Sequence, residues 1–227
     1  MLRAMLYVQW RAARWLLVPF VLLAFGLPLL VLGAARRFAL EGGELLPERL
    51  IALQSEAVFF FPALAALTGF VVALAVWQWD HRTGHVYALS LPVSRPRYVL
   101  LRLLAGMALL AIPVAALWAG AITAVAATPV PAVLHAYPLA FGLRFLLACL
   151  IAYTISFAFA AGTMRTTLVV VIVLVAFLSL GTVAVEVTER LTHTTDLYRP
   201  IELLHLALLT WPGPFQVFGG NWLLIDV

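Results

Sequence analysis

The sequence contains no lysine, and all 14 of its basic residues are arginine. The P-loop that holds nucleotide phosphates, G-x-x-x-x-G-K-[ST], therefore cannot occur in this chain. The motifs H-E-x-x-H and G-x-S-x-G are missing too, which excludes the zinc and serine hydrolases most often recognised by motif. We expect no catalytic residues and no bound cofactor in this chain, although an intramembrane enzyme with a dispersed site remains an alternative.

Cysteine is nearly absent as well, and this limits metal and redox chemistry. The single cysteine, Cys149, lies in an apolar stretch, so the chain has no internal disulfide framework and no cysteine-based metal site. His81 and His85 are spaced i, i+4 and could share a helical face with Asp80 nearby. Because Gly84 disfavours a regular helix and no third strong ligand is evident, we favour the interpretation without a metal.

Charge of either sign is scarce, and this decides the class of protein. Only 11% of the residues are charged and 65% are hydrophobic, whereas soluble domains have about 25% and 45–50%. The apolar runs are continuous rather than alternating, which favours membrane helices over barrel strands. We predict an all-α, polytopic transmembrane bundle forming a single domain over residues 1–227. The five predicted spans, each long enough to cross about 30 Å of hydrocarbon, are residues 15–35, 57–79, 98–127, 139–164 and 166–185.

The two ends of the chain carry weaker signals. Arg3, Arg11 and Arg14 fall within about 80° of one another on a helical wheel. Residues 1–14 are therefore predicted to form a short interfacial helix, with an ordinary flank of the first span as the alternative. Residues 186–227 are predicted to form an outer loop and a broken segment, re-entrant or kinked, because prolines and glycines interrupt its apolar run.

Arginine distribution predicts the orientation. The segments that a cytoplasmic N-terminus places inside are rich in arginine and hold one acid, Asp80, which fits the positive-inside rule. We therefore expect a multi-pass protein of the plasma membrane (the inner membrane of a bacterium) that contacts lipid and no nucleic acid. The inside arginines are Arg3, Arg11, Arg14, Arg82, Arg95, Arg97, Arg102 and Arg165. Arg144 is expected to snorkel to the outer headgroups.

Polar and indole side chains in the spans have two interpretations. Tyr153, Thr154 and Ser156 could line a transport path, or they could serve close packing of helices. Tryptophans at predicted span ends are expected to anchor the interfaces. They are Trp77, Trp79, Trp118, Trp211 and Trp222.

Residues 80–97 are the most informative segment. Gly84 and Pro92 bound about two helical turns, and Val86 and Leu89 share one face of them. Ser94 can cap a following helix whose first turn accepts Pro96. The pattern predicts a short surface helix that docks into a cytoplasmic partner, with a plain positive-inside loop as the alternative.

The run from Arg82 to Leu103 resembles the stretch after the second span in ABC-transporter permeases of the second exporter class, the ABC-2-type family. The residues that match its motif position by position are Gly84, Leu89, Ser90, Leu91, Pro92, Val93, Ser94 and Arg95. This chain departs from the family by having His85-Val86-Tyr87 after the glycine, and by lacking a clean sixth span.

The resemblance implies the membrane half of an ATP-driven transporter. Its partners would be ABC-type ATPase subunits, which bind ATP and Mg, and a second permease half, identical or different. Residues 84–95 would be the coupling helix seated in a cleft of the ATPase. The predicted contact residues are Gly84, Val86, Leu89, Leu91, Pro92, Arg95 and Arg97. A membrane anchor or scaffold subunit that does not transport is the alternative function.

Overall fold

Long helices dominate the part of the chain that the computed structural model describes. The described residues are 2–40, 47–56, 59–82, 94–128, 133–161, 169, 215–219 and 222–226. Their helices are α1 (Leu2–Leu40), α2 (Pro47–Glu56), α3 (Phe60–Arg82), α4 (Arg95–Ala127) and α5 (Pro138–Ala160). They also include two short strands, β1 (His135–Ala136) and β2 (Ile225–Asp226), and a 3-10 turn at Gln216–Phe218.

Four of these helices, α1, α3, α4 and α5, are long and apolar enough to cross a membrane. The predicted helical, multi-span architecture is confirmed to that extent, and the β1–β2 pair is an addition that the sequence did not predict. The fifth predicted span, 166–185, lies outside the described residues apart from Val169, as does most of 186–227. A count of five spans therefore stays a prediction.

The N-terminus differs from the expected separate interfacial helix. Helix α1 runs from Leu2 to Leu40 as one element, so residues 2–14 are its first turns. Residues 1–18 contain no glycine and no proline, so no helix breaker separates the basic start from the apolar run. Its 39 residues give a length of about 58 Å, well beyond the roughly 30 Å of a hydrocarbon core.

Helix α4 begins where the sequence predicts. Ser94 is its extended N-cap residue (φ −60°, ψ 137°), and Pro96 lies in the first turn. The backbone N–H of Tyr98 donates to the Ser94 carbonyl at 3.0 Å, whereas the Ser94 side chain makes no capping hydrogen bond. At the other end, Thr128 closes the helix, with its hydroxyl donating to the Ala124 carbonyl at 2.9 Å.

The long helices alternate in direction, which gathers their ends into two groups. The start of α1, the end of α3, the start of α4 and the end of α5 lie at what we call the N-terminal face. Helix α2, β1 and β2 lie at the opposite face, where β1 pairs with β2 in antiparallel register. Helix α1 packs along α4, and at Gly120 the two backbones are so close that a Cβ would overlap the Phe25 carbonyl.

The chain divides into two compact units, residues 1–157 with 221–227, and residues 158–220. The features discussed below belong to the first unit. Within the described residues of the second, the rings of Phe215 and Phe218 lie 6.5 Å apart.

Candidate functional site

A buried arginine lies at the N-terminal face, next to the connection between α3 and α4. Arg102, in the third turn of α4, is only 4% exposed. Its Nη1 donates to the Val76 carbonyl of α3 at 2.7 Å. The guanidinium also lies over two rings, 5.0 Å from the centroid of Trp77 and 4.9 Å from that of Tyr98. A charge-assisted hydrogen bond and two aromatic faces together offset the cost of removing this cation from water.

Side chains from the other two long helices, α1 and α5, contact the backbone at Arg102. Gln9 of α1 donates from Nε2 to the Arg102 carbonyl at 3.2 Å. The Tyr153 hydroxyl of α5 lies 3.2 Å from the Leu103 carbonyl and 3.5 Å from that of Arg102. All four long helices therefore meet around one residue. We call this group the Arg102 cluster, and it consists of Gln9, Trp77, Tyr98, Arg102 and Tyr153.

A glycine makes room for the tyrosine of this cluster. A Cβ built on Gly106, one turn after Arg102, would overlap the Tyr153 hydroxyl and ring. Tyr153 is fully buried, and its ring lies 5.6 Å from that of Phe157. The α4–α5 contact thus depends on the close fit of Tyr153 beside Gly106 and on the hydrogen bond that the Tyr153 hydroxyl donates to the backbone of α4.

Two of the predicted coupling residues lie in the same helix as Arg102. Arg95 and Arg97 lie in the first turn of α4, and both are exposed. The others lie outside the described residues, namely Gly84, Val86, Leu89, Leu91 and Pro92. The two helices that this connection joins, α3 and α4, both contribute to the Arg102 cluster, through Trp77 and Arg102 respectively. The two helices on either side of the connection are therefore tied to each other through the cluster.

The three predicted transport-path residues differ in their burial and in their hydrogen bonds. Tyr153 makes the α4–α5 contact, which favours the packing interpretation for it. Thr154 is half-buried and donates to the carbonyls of its own helix, at 2.9 Å to Leu150 and 3.0 Å to Ile151. Ser156 is half-buried. For Thr154 and Ser156, a transport role stays a prediction.

Replacing Tyr153 with phenylalanine should lower the free energy of unfolding by about 1 kcal/mol, the usual net value of one buried hydrogen bond. The ring, its contact with Phe157 and its fit beside Gly106 all remain. Thr154→Val is the control, since the hydroxyl it removes bonds only within its own helix turn. Thermal unfolding in detergent should show a lower melting temperature for Tyr153→Phe than for Thr154→Val, and equal values would contradict the assigned contact.

Sequence reasoning missed the Arg102 cluster. It assigned Arg102 to the charged cytoplasmic flank and Trp77 to an interface anchor, whereas the structure buries them to 4% and 3% exposure. The i, i+4 spacing of Tyr98 and Arg102, which makes them neighbours on one helical face, was the one local pattern that indicated part of the cluster. Cys149, which the sequence places in an apolar stretch, is fully buried.

The metal alternative depends on His81 and His85. His81 lies in the last turn of α3, and His85 lies outside the described residues. Among the described residues, no group of three or more histidine, cysteine, aspartate or glutamate side chains could hold a metal ion.

Comparison with known proteins identifies the family of most of the chain. The family model described as ABC-2 family transporter protein matches residues 46–211. The matched range contains α3, α4, α5 and the connection between α3 and α4, and it therefore includes all of the Arg102 cluster except Gln9. Searches of curated proteins and of solved structures each found no match.

Proposed function

Because the chain belongs to the ABC-2 family of transporter proteins, we propose that it is the permease subunit of an ATP-driven transporter. It is a multi-pass membrane protein. The ATP, with its Mg, is bound and hydrolysed by a separate ABC-type subunit, because a chain without lysine has no P-loop. A second permease half, identical or different, completes the membrane part.

The observation that carries this proposal is the position of the Arg102 cluster. The connection between α3 and α4 begins after Arg82 and ends before Arg95. Both helices that leave it are tied within three turns to each other, to α1 and to α5. A displacement of the connection by a moving ATPase would therefore reach all four helices together, as in a rigid-body transition.

The docking surface consists of the connection and the first turn of α4. Its apolar part is Val86, Leu89 and Leu91, bounded by Gly84 and Pro92. Arg95 and Arg97, exposed at the start of α4, supply positive charge that suits an acidic rim on the partner. We propose on this basis that the N-terminal face lies in the cytoplasm, at the plasma membrane (in a bacterium, the inner membrane).

Exposed apolar side chains on α1 support the proposal that this helix faces lipid or a second permease half. On α1, Trp15, Leu22 and Leu30 are 74%, 66% and 71% exposed. Such a surface suits contact with lipid acyl chains or with the second permease half, because either contact keeps these apolar side chains out of water.

Replacing Leu89 with aspartate should abolish co-purification of an ATPase with this protein. A carboxylate pointing into an apolar cleft cannot be desolvated without large cost, so docking fails. The full-length protein is purified in mild detergent from its source cells, and ATPase activity and bound proteins are measured. Leu89→Met, which preserves the apolar character and approximate volume, should retain the ATPase.

The outcomes of this experiment separate the functions. If the unmutated protein retains no ATPase, or if Leu89→Asp retains it as well as Leu89→Met, the proposed coupling is wrong. A scaffold subunit would hold other proteins with no dependence on Leu89. An intramembrane enzyme would show turnover without partner or nucleotide.

A further inference from the structure

Residues 222–226 lie at the opposite face, where they pair with the residues just before α5. Strand β2 pairs with β1 so that His135 lies opposite Asp226, and Ala136 lies opposite Ile225. The pairing continues beyond the strands, because the Tyr137 N–H donates to the Leu224 carbonyl at 2.9 Å. These groups link the C-terminus to the short segment that connects α4 with α5.

A glutamine of α2 holds the same residues from the other side. The Gln54 Oε1 accepts from the N–H groups of Leu224 and Ile225, both at 2.9 Å. Its Nε2 donates to the Ile225 carbonyl at 3.0 Å. Gln54 is 2% exposed, and one side chain therefore satisfies three buried backbone groups about 170 residues away. In an exposed tail, these backbone groups would form hydrogen bonds with water instead.

Trp222 fills the space between the starts of α3 and α5. It is 1% exposed. Its indole stacks on Phe61 at 6.4 Å and meets Phe141 edge-on at 5.8 Å, while those two rings are 4.8 Å apart. The Arg144 guanidinium lies 4.6 Å from the indole centroid. Trp222 is thus buried rather than an interface anchor, and Arg144 covers an aromatic ring rather than only reaching for headgroups.

We infer that residues Trp222–Asp226 form a latch that fastens α2, α3 and the start of α5 together at the face opposite the N-terminus. The latch joins these elements through backbone pairing, the Gln54 clamp and the Trp222 ring cluster. It lies beyond residue 211, where the family match ends. The inference is independent of the proposed function, since it rests on contacts within the chain.

The latch also fixes the side of the C-terminus. Three long helices, α1, α3 and α4, separate the N-terminus from β1, so β1 and the paired β2 lie on the side opposite the N-terminus.

Hydrogen exchange of the full-length protein tests the latch directly. Gln54→Leu removes the clamp by replacing the amide with an apolar side chain of similar size, and Ser55→Ala is the matched control. The Ser55 side chain is exposed and donates locally to Ala52. In Gln54→Leu, the segments 133–141 and 222–227 should exchange about tenfold faster or more, because the three hydrogen bonds of Gln54 to Leu224 and Ile225 are lost from the closed state. Segment 94–105 should not change, and Ser55→Ala should match the unmutated protein.

Cysteine labelling tests the same inference without disturbing Gln54. In a Cys149→Ala background, Arg3→Cys and Asp226→Cys are treated with a membrane-impermeant maleimide on intact cells; both native side chains are exposed. We expect one of the two to react before permeabilisation and the other only after it, with His135→Cys behaving like Asp226→Cys. The inference is overturned if Arg3→Cys and Asp226→Cys react from the same side, or if Gln54→Leu leaves exchange at 133–141 unchanged.

Discussion

Arg102→Ala is expected to lower the free energy of unfolding by about 3 kcal/mol. The substitution removes a 2.7 Å hydrogen bond to the Val76 carbonyl and the cation that lies over Trp77 and Tyr98. It also leaves a cavity where four helices meet, which the surrounding rings can fill only in part. Thermal unfolding of the purified protein in detergent measures the loss.

Two further variants isolate the cause of that loss. Arg11→Ala removes an exposed arginine from the same face and should change stability by no more than about 0.5 kcal/mol. Arg102→Lys keeps the charge but loses the planar guanidinium, so an intermediate value is expected. Equal melting temperatures for Arg102→Ala and Arg11→Ala would show that the cluster does not stabilise the bundle.

Gly120→Ala is expected to cost about 2 kcal/mol or more, because it forces α1 and α4 apart. The added methyl group would overlap the backbone carbonyl of Phe25, and a backbone atom cannot rotate away as a side chain can. Small residues let membrane helices approach closely, and here a glycine allows the contact between α1 and α4, the two longest of the described helices.

Gly26→Ala is the matched control for this prediction. It lies one residue from Phe25 on the same helix, and a Cβ there meets nothing within 4 Å. Alanine is the better helix former by about 1 kcal/mol, so Gly26→Ala should be neutral or slightly stabilising. The same melting temperature for both variants would contradict the close approach of α1 and α4.

Local sequence patterns predicted the four long helices, because the apolar runs and their breakers are close together in the chain, whereas the short helix α2 was not predicted. The start of α4 is the clearest case, with Ser94 at the N-cap and Pro96 in the first turn. The extension of α1 back to Leu2 was not predicted. The basic amphipathic pattern of residues 1–14 suits both an interfacial helix and the first turns of a longer one, and it cannot distinguish them.

Contacts between distant parts of the chain could not be predicted. The burial of Arg102 depends on Trp77 from the preceding helix, which no periodicity within α4 can indicate. The Gln54 clamp joins residues 171 positions apart, and a single glutamine in a short polar helix carries no pattern. Trp222 followed a broken stretch that looked interfacial, and only the rings of Phe61 and Phe141 explain why it is buried.

In the proposed complex, a separate ATPase polypeptide docks on the connection between α3 and α4. A photo-reactive amino acid in place of Leu89 tests this most directly, with irradiation of the source cells and mass spectrometry of the adducts. Leu30, which is 71% exposed on α1, is the control position. We predict that position 89 yields a covalent adduct with a polypeptide containing a P-loop, and that position 30 does not. Adducts at position 89 that contain only lipid, or only proteins without a P-loop, would contradict the account.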